Sequence, residues 1–141
     1  MNNNFKFKNI FIGQEEFFED SISVSDIDSF IRLSGDSSSI HSSYESAVSR
    51  GFRDRVVHGA LIIAKISKLV GTVLPGDSCL LLEIDIKFRK PLYTDEKIIV
   101  SAVVFDKHES VRCITMKLCV SSIDKNITYA KGSALVRVLD D

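Results

Sequence analysis

Along the chain, the spacing of apolar residues changes once, near the middle. Before residue 75 they mostly recur at helical intervals; after it they alternate with polar ones. Phe17 to Val24 alternates loosely and reads as a first strand. Ser25 then opens a helix, with Asp28 three residues later as its reciprocal capping partner. Ile27, Phe30, Ile31 and Ser34 share one face of it, and Gly35 follows where a left-handed cap belongs. A short helix is predicted from about Ser43 to Arg50, closed by Gly51. The best-defined helix carries Leu61, Ile62, Ile66, Leu69, Val70 and Val73 on one stripe and Lys65, Lys68 and Thr72 on the other, and Pro75-Gly76 ends it.

Four long strands are predicted beyond that point. The first sets Leu80, Leu82, Ile84, Ile86 and Phe88 against Glu83, Asp85, Lys87 and Arg89. The others run roughly from Lys97 to Asp106, Ser110 to Ser122 and Ile127 to Leu139. Lys107 to Glu109 and Asp124 to Asn126 are polar and short enough for hairpins. Ala130, Gly132 and Ala134 form a small-residue row that would let the apolar helix after Gly59 approach closely. Helices first and strands second give an α+β fold, a long antiparallel sheet wrapped around a buried central helix. A two-layer α/β sandwich of another topology fits the same order.

Length and composition narrow the class. The 141 residues suit a single domain spanning 1–141, with 45% apolar and 26% charged residues as in ordinary globular chains. A formal net charge of −1 favours neither nucleic acid nor an anionic membrane as partner. Met1 to Lys8 has no apolar run, so no secretory signal is expected, and Leu61 to Leu74 is interrupted by Lys65 and Lys68. Cys79, Cys113 and Cys119 lack metal spacing and read as reduced thiols of a cytoplasmic protein.

Histidine and carboxylate positions supply the candidate chemistry. Gly35 lets the chain leave its helix by a tight turn, and four residues separate Asp36 from His41. A loop of that length can bring a carboxylate and an imidazole to one water, which the pair can activate. The alternative makes Asp36 a turn residue and His41 a helix cap. His58-Gly59 opens the long helix, where unpartnered N–H groups can hold developing negative charge on a carbonyl oxygen. Its alternative is a capping histidine beside a packing glycine. His108 lies in a polar hairpin and reads as solvated.

Taken together, Leu33-Ser34-Gly35-Asp36-Ser37-Ser38-Ser39-Ile40-His41, Phe52, Val57-His58-Gly59-Ala60-Leu61, Leu74-Pro75-Gly76 and Phe88-Arg89-Lys90-Pro91-Leu92 resemble the MaoC-like dehydratases, which include the (R)-specific enoyl-CoA hydratases. The motifs cover Phe17 to Leu92, and the later strands agree in pattern alone. The resemblance implies a hot-dog fold, usually a homodimer or a multiple of dimers. It implies a lyase acting on acyl thioesters of coenzyme A or an acyl carrier protein, with Asp36 and His41 catalytic. Gly59 falls on the residue whose N–H binds the thioester carbonyl and Ser67 on a serine beside the site, with His58 on the substrate-binding side. No metal or cofactor is expected, because the thioester itself acidifies the α-position.

Two departures stand out. The family's Asn-Pro before the Ile/Leu-His pair is Ser38-Ser39 here, which removes a rigid proline and an amide anchor. The Gly-Asp that usually follows the proline segment is Asp95-Glu96. The first departure admits a non-catalytic thioester binder or a structural subunit of a larger dehydratase as alternatives. A hot-dog thioesterase would place a carboxylate on the long helix, and Gly59 to Val73 has none. Arg50, Arg53, Arg55, Lys65 and Lys68 are candidates for carrier phosphates, with simple solvation as the alternative.

Overall fold

A computed structural model describes residues 1–140. Its order is β1 (Glu15–Ser21), α1 (Val24–Ser34), α2 (Ser39–Ser42), α3 (Tyr44–Ser49), α4 (Gly59–Lys68), β2 (Cys79–Phe88), β3 (Lys97–His108), β4 (Cys113–Ser122) and β5 (Thr128–Val138). One wide helical turn, Leu69–Val73, continues α4. The strands form one antiparallel sheet in the order β1-β3-β4-β5-β2. Its inner face, with Val100, Ala102, Met116, Leu118, Val120 and Val136, shares a core with Leu61, Ile62, Ile66, Leu69 and Val70 of the long helix. This is the hot-dog arrangement expected from the sequence, α+β with a curved sheet around a central helix. No helix among the described residues is long and apolar enough to cross a membrane.

Local chemistry sets the element ends. α1 starts two residues earlier than the spacing suggested: Ser23 is its N-cap, and Ser23 and Asp26 form the reciprocal capping box. The same three-residue spacing at Ser25 and Asp28 lost because Ile22 and Ile27 take the positions flanking the cap, and both are buried. Gly35 does cap the far end, at φ 77°, donating to the Ile31 carbonyl at 2.8 Å. The predicted second helix is α3, capped by Ser43, which accepts from Ser46 N–H; the single turn α2 just before it was not expected from the spacing.

The first long strand departs from simple alternation. A bulge between Leu81 and Glu83 turns Leu80 and Leu82 outward, each about half exposed, and leaves Leu81, Ile84 and Ile86 against the core. Gly132 is also corrected. A Cβ there would meet the Asp85 carbonyl of neighbouring β2 at 1.8 Å, so its missing side chain serves strand pairing, not the approach of a helix. Cys79, Cys113 and Cys119 are free thiols. His108, at the end of β3, has its Nε2 3.0 Å from Thr115 Oγ1.

Candidate active site

The segment after α1 is organised by its serines. Ser34 Oγ donates to the Phe30 carbonyl and accepts the Asp36 N–H at 3.1 Å. The Asp36 carboxylate accepts the Ser38 N–H at 3.2 Å, which closes a tight turn and leaves the carboxylate exposed. His41 therefore lies within the short helix α2, not in a loop. Its Nδ1 is 2.6 Å from the Val56 carbonyl. A carbonyl only accepts, so Nδ1 carries the proton and Nε2 of the neutral ring keeps its lone pair. Arg55 supports the same turn, donating to the His41 carbonyl at 2.6 Å while pairing with Asp28.

His58 stands behind this pair. It is 1% exposed, its Nε2 donates to the Asp36 main-chain carbonyl at 2.9 Å, and its ring stacks on His41 at 3.9 Å between centroids. The edge of Phe30 closes the other side at 4.8 Å. His58 Nδ1 is buried without a partner, which fits a neutral ring protonated at Nε2. One carboxylate oxygen of Asp36 and one ring nitrogen from each histidine lie within 4.8 Å of one another. Two hydrogen bonds of about 2.8 Å meeting at a water span roughly 4.6 Å, so one water can bridge such a gap. The trio suits a metal poorly: near-parallel stacked rings send their in-plane lone pairs along separate lines.

Next to the trio is a pocket of about 330 Å³, lined by His41, Val56, Val57, Gly59 and Ile62 on one side and the Phe88–Leu92 segment on the other. Gly59 is the first residue of α4, where backbone N–H groups lack helical acceptors. The Phe88 ring lies directly over it, so that a Cβ on Gly59 would come within 2.8 Å of Phe88 Cζ. Hydrogen bonding joins the two walls. Val57 N–H donates to the Leu92 carbonyl at 2.8 Å, and Val56 bridges to Tyr93. Behind them Glu96 accepts from Tyr129 and pairs with Arg53. Burial first, and the Glu96 carboxylate second, push the Tyr129 hydroxyl up to about 12.

His41 and Gly59, both reached from sequence, line one pocket, with the Asp36 carboxylate behind them within 4.8 Å of a His41 ring nitrogen, and two other candidates need correction. His58 is off the pocket wall, buried against His41 and Phe30, because its ring is needed under the Asp36 turn. Ser67 is exposed on α4, outside the pocket lining, since its helical position turns it away from the core stripe. Among the basic candidates, Arg53 pairs with Glu96, Arg55 with Asp28, and both Lys65 and Lys68 with Asp20. The contact that sequence missed is Phe88 over Gly59; the Phe88–Leu92 motif was the available signal, without its partner.

Fold and site together define a hot-dog protein with an aspartate–histidine pair beside a helix N-terminus. Residues 11–126 match the family described as MaoC like domain, and the chain belongs to that family. Two curated relatives align with nearly all of it. The 3-hydroxybutyryl-CoA dehydratase of Methylorubrum extorquens is 29% identical over 94% of this chain and 83% of its own length. The (R)-specific enoyl-CoA hydratase of Rhodospirillum rubrum is 26% identical over 92% of this chain and 90% of its own. Among solved structures, unliganded R-hydratase PhaJ1 from Pseudomonas aeruginosa superposes with a TM-score of 0.91 at 25% identity, covering 98% of this chain and 88% of that one.

Proposed function

We propose that the protein adds water to trans-2-enoyl thioesters, giving (R)-3-hydroxyacyl thioesters, and catalyses the reverse dehydration. Family membership and the two named relatives make it a hydro-lyase. The observation that carries the finer reading is the meeting of Asp36 and His41 beside the pocket that begins at Gly59.

In this reading the thioester oxygen accepts the Gly59 N–H at the positive end of α4, which draws electron density from the β-carbon. The Asp36 carboxylate and His41 Nε2 accept the two hydrogens of one water and hold its oxygen toward that carbon. As the oxygen bonds to the β-carbon, one water proton passes into the pair, and a proton from the pair returns to the α-carbon. The product carries the whole water, and the enzyme regains its starting protonation. The Ser38 N–H donor to Asp36 and the Val56 acceptor for His41 hold both groups in place. The thioester supplies the needed acidity, so the reaction calls for no metal or redox cofactor.

The protein would work as a homodimer or a multiple of dimers. β2 is a sheet edge, and its bulge exposes Leu80 and Leu82 there, an apolar margin that a second copy can cover. Gel filtration of the purified chain at the dimer volume supports this, and a monomer volume opposes it.

An ultraviolet assay with crotonyl-CoA tests the activity, because hydration removes the conjugated thioester absorbance. Turnover that is lost in Asp36→Asn supports the proposal. Binding of crotonyl-CoA without any change in absorbance would make the chain a thioester binder instead.

A further inference from the structure

We propose that a basic depression on the outer face of the sheet holds the phosphorylated nucleotide end of coenzyme A, an inference that rests on the enoyl-thioester reading above. Four cationic side chains, Lys87 of β2, Arg89 just beyond it, Lys117 of β4 and Lys131 of β5, line a hollow of about 360 Å³. Asp85 is the one carboxylate in that lining among the described residues. The excess of three positive groups arises on a chain whose formal net charge is −1.

Three observations single this patch out. Lys87 and Lys131 stand directly opposite each other on paired strands, an arrangement of like charges that weakens a sheet unless an anion lies between them. None of the four cations forms an ion pair among the described residues, whereas Arg53, Arg55, Lys65 and Lys68 all do. The hollow also lies next to the proposed catalytic pocket, since Arg89 lines both. A carrier whose thioester lies at Gly59 can therefore leave the pocket past Arg89 and reach the patch.

The shape favours a nucleotide over a bare phosphate. Phe105 forms part of the hollow, 41% exposed, with Lys117 Nζ 5.4 Å from its ring centroid. An aromatic face beside clustered cations offers stacking for a purine and charge-assisted hydrogen bonds for its phosphates. Adenosine bearing phosphates at its 3′ and 5′ positions supplies both. The phosphopantetheine of a carrier protein supplies one phosphate and no base.

The test compares crotonyl-CoA with crotonylpantetheine, which keeps the thioester and lacks the nucleotide. Lys87→Gln and Lys131→Gln should each raise KM for crotonyl-CoA roughly threefold to tenfold, the scale of a partly exposed charge-assisted contact. Both should leave kcat, and every constant for crotonylpantetheine, unchanged. Lys8→Gln is the matched loss of charge elsewhere and should change neither substrate. Adenosine 3′,5′-bisphosphate should compete with crotonyl-CoA in the wild type and lose potency in the double variant. Thermal melts no lower than wild type confirm intact folds, since each substitution removes a like-charge neighbour.

Equal effects on both thioesters, or none on either, overturn the proposal. So does a wild type that turns over crotonyl-CoA no better than crotonylpantetheine while preferring crotonyl-acyl carrier protein. If neither thioester is hydrated, the hydratase reading fails by itself. Calorimetric titration of coenzyme A into wild type and double variant then decides the patch: weaker binding by the variant upholds it, and equal or absent binding removes it.

Discussion

The buried His58 ring donates from Nε2 to the main-chain carbonyl of Asp36, 2.9 Å away and 22 residues earlier in the chain. The same ring is stacked on His41 at 3.9 Å, so one side chain is in contact with both members of the proposed catalytic pair without lining the pocket. Those contacts make it a candidate positioning residue for the proposed reaction.

Replacement amides should separate the hydrogen bond from mere bulk. Glutamine can place an N–H near the Nε2 position, and asparagine cannot reach it. His58→Asn should lower kcat for crotonyl-CoA about tenfold to hundredfold, the cost of a small misplacement of reacting groups. His58→Gln should restore most of the loss, with KM little changed in both. Equal kcat values for the two variants would remove the positioning role.

His41→Ala and Asp36→Asn should each lower turnover by roughly two to four orders of magnitude, the usual worth of a general acid or base. Both side chains are at least partly exposed, so melting temperatures should stay near wild type. Near-normal turnover in either would displace that residue from the chemistry.

The serine pair can be converted to the family's usual residues at little structural cost. Ser39 is the first residue of α2, a position that accepts proline, and Ser38 has ψ 136°, the conformation a residue before proline prefers. Ser38→Asn with Ser39→Pro should raise stability by about 0.4–1 kcal/mol through the less flexible unfolded chain. Activity should hold or rise. A sharp fall in crotonyl-CoA hydration, with the melt unchanged, would mean that the serines are fitted to this enzyme's own substrate.

Gly59 offers two different lesions. In Gly59→Ala the new methyl must move the Phe88 ring, whose contacting atoms are its far end and which is 50% exposed. Turnover should fall while the melt changes little, and Phe88→Leu in the same chain should recover part of it. Gly59→Pro removes the N–H in a helical turn that tolerates proline, so turnover should drop by roughly two to three orders of magnitude with the fold retained. A proline variant with wild-type kinetics and melt would exclude this N–H as the carbonyl donor.

Acid should loosen the tie between β1 and α4. Burial tends to raise the Asp20 carboxyl, but the Lys65 hydrogen bond, the Ser21 N–H and the charges of Lys65 and Lys68 outweigh it, and the group titrates below its ordinary 3.8. A carboxylate lowered by folding stabilises the native state above its unfolded value, and that contribution is lost as pH falls through the lower folded value. Asp20→Asn should therefore melt lower than wild type at pH 7, and the gap should close as pH drops below 3.8. A gap independent of pH would assign the effect to packing.

Sequence pattern was most informative where one local cause dominates. Gly35, the long helix, the β3–β4 and β4–β5 hairpins and the convergence of Asp36 with His41 follow from turn chemistry, apolar period and motif. Where two local solutions share a spacing, burial decided. Ser23 with Asp26 displaced Ser25 with Asp28 because Ile22 and Ile27 had to be inside. The β2 bulge was hidden because Leu80, Leu81 and Leu82 are all leucine, so either phase of alternation fits the run. The role of His58 depends on a backbone carbonyl and a ring stack, neither of which leaves a trace in residue spacing.

The wall that Val57 joins to Leu92 is also bonded to the turn that carries Asp36: Val56 N–H donates to the Ile40 carbonyl, the Val56 carbonyl accepts from His41, and His58 donates to the Asp36 carbonyl. Bore and reactivity are thus mechanically coupled. In the proposed reaction, a substitution that shifts the wall at Val56 or Val57 should also shift His41, so a change in the acyl groups admitted and a change in the handling of water should arrive together.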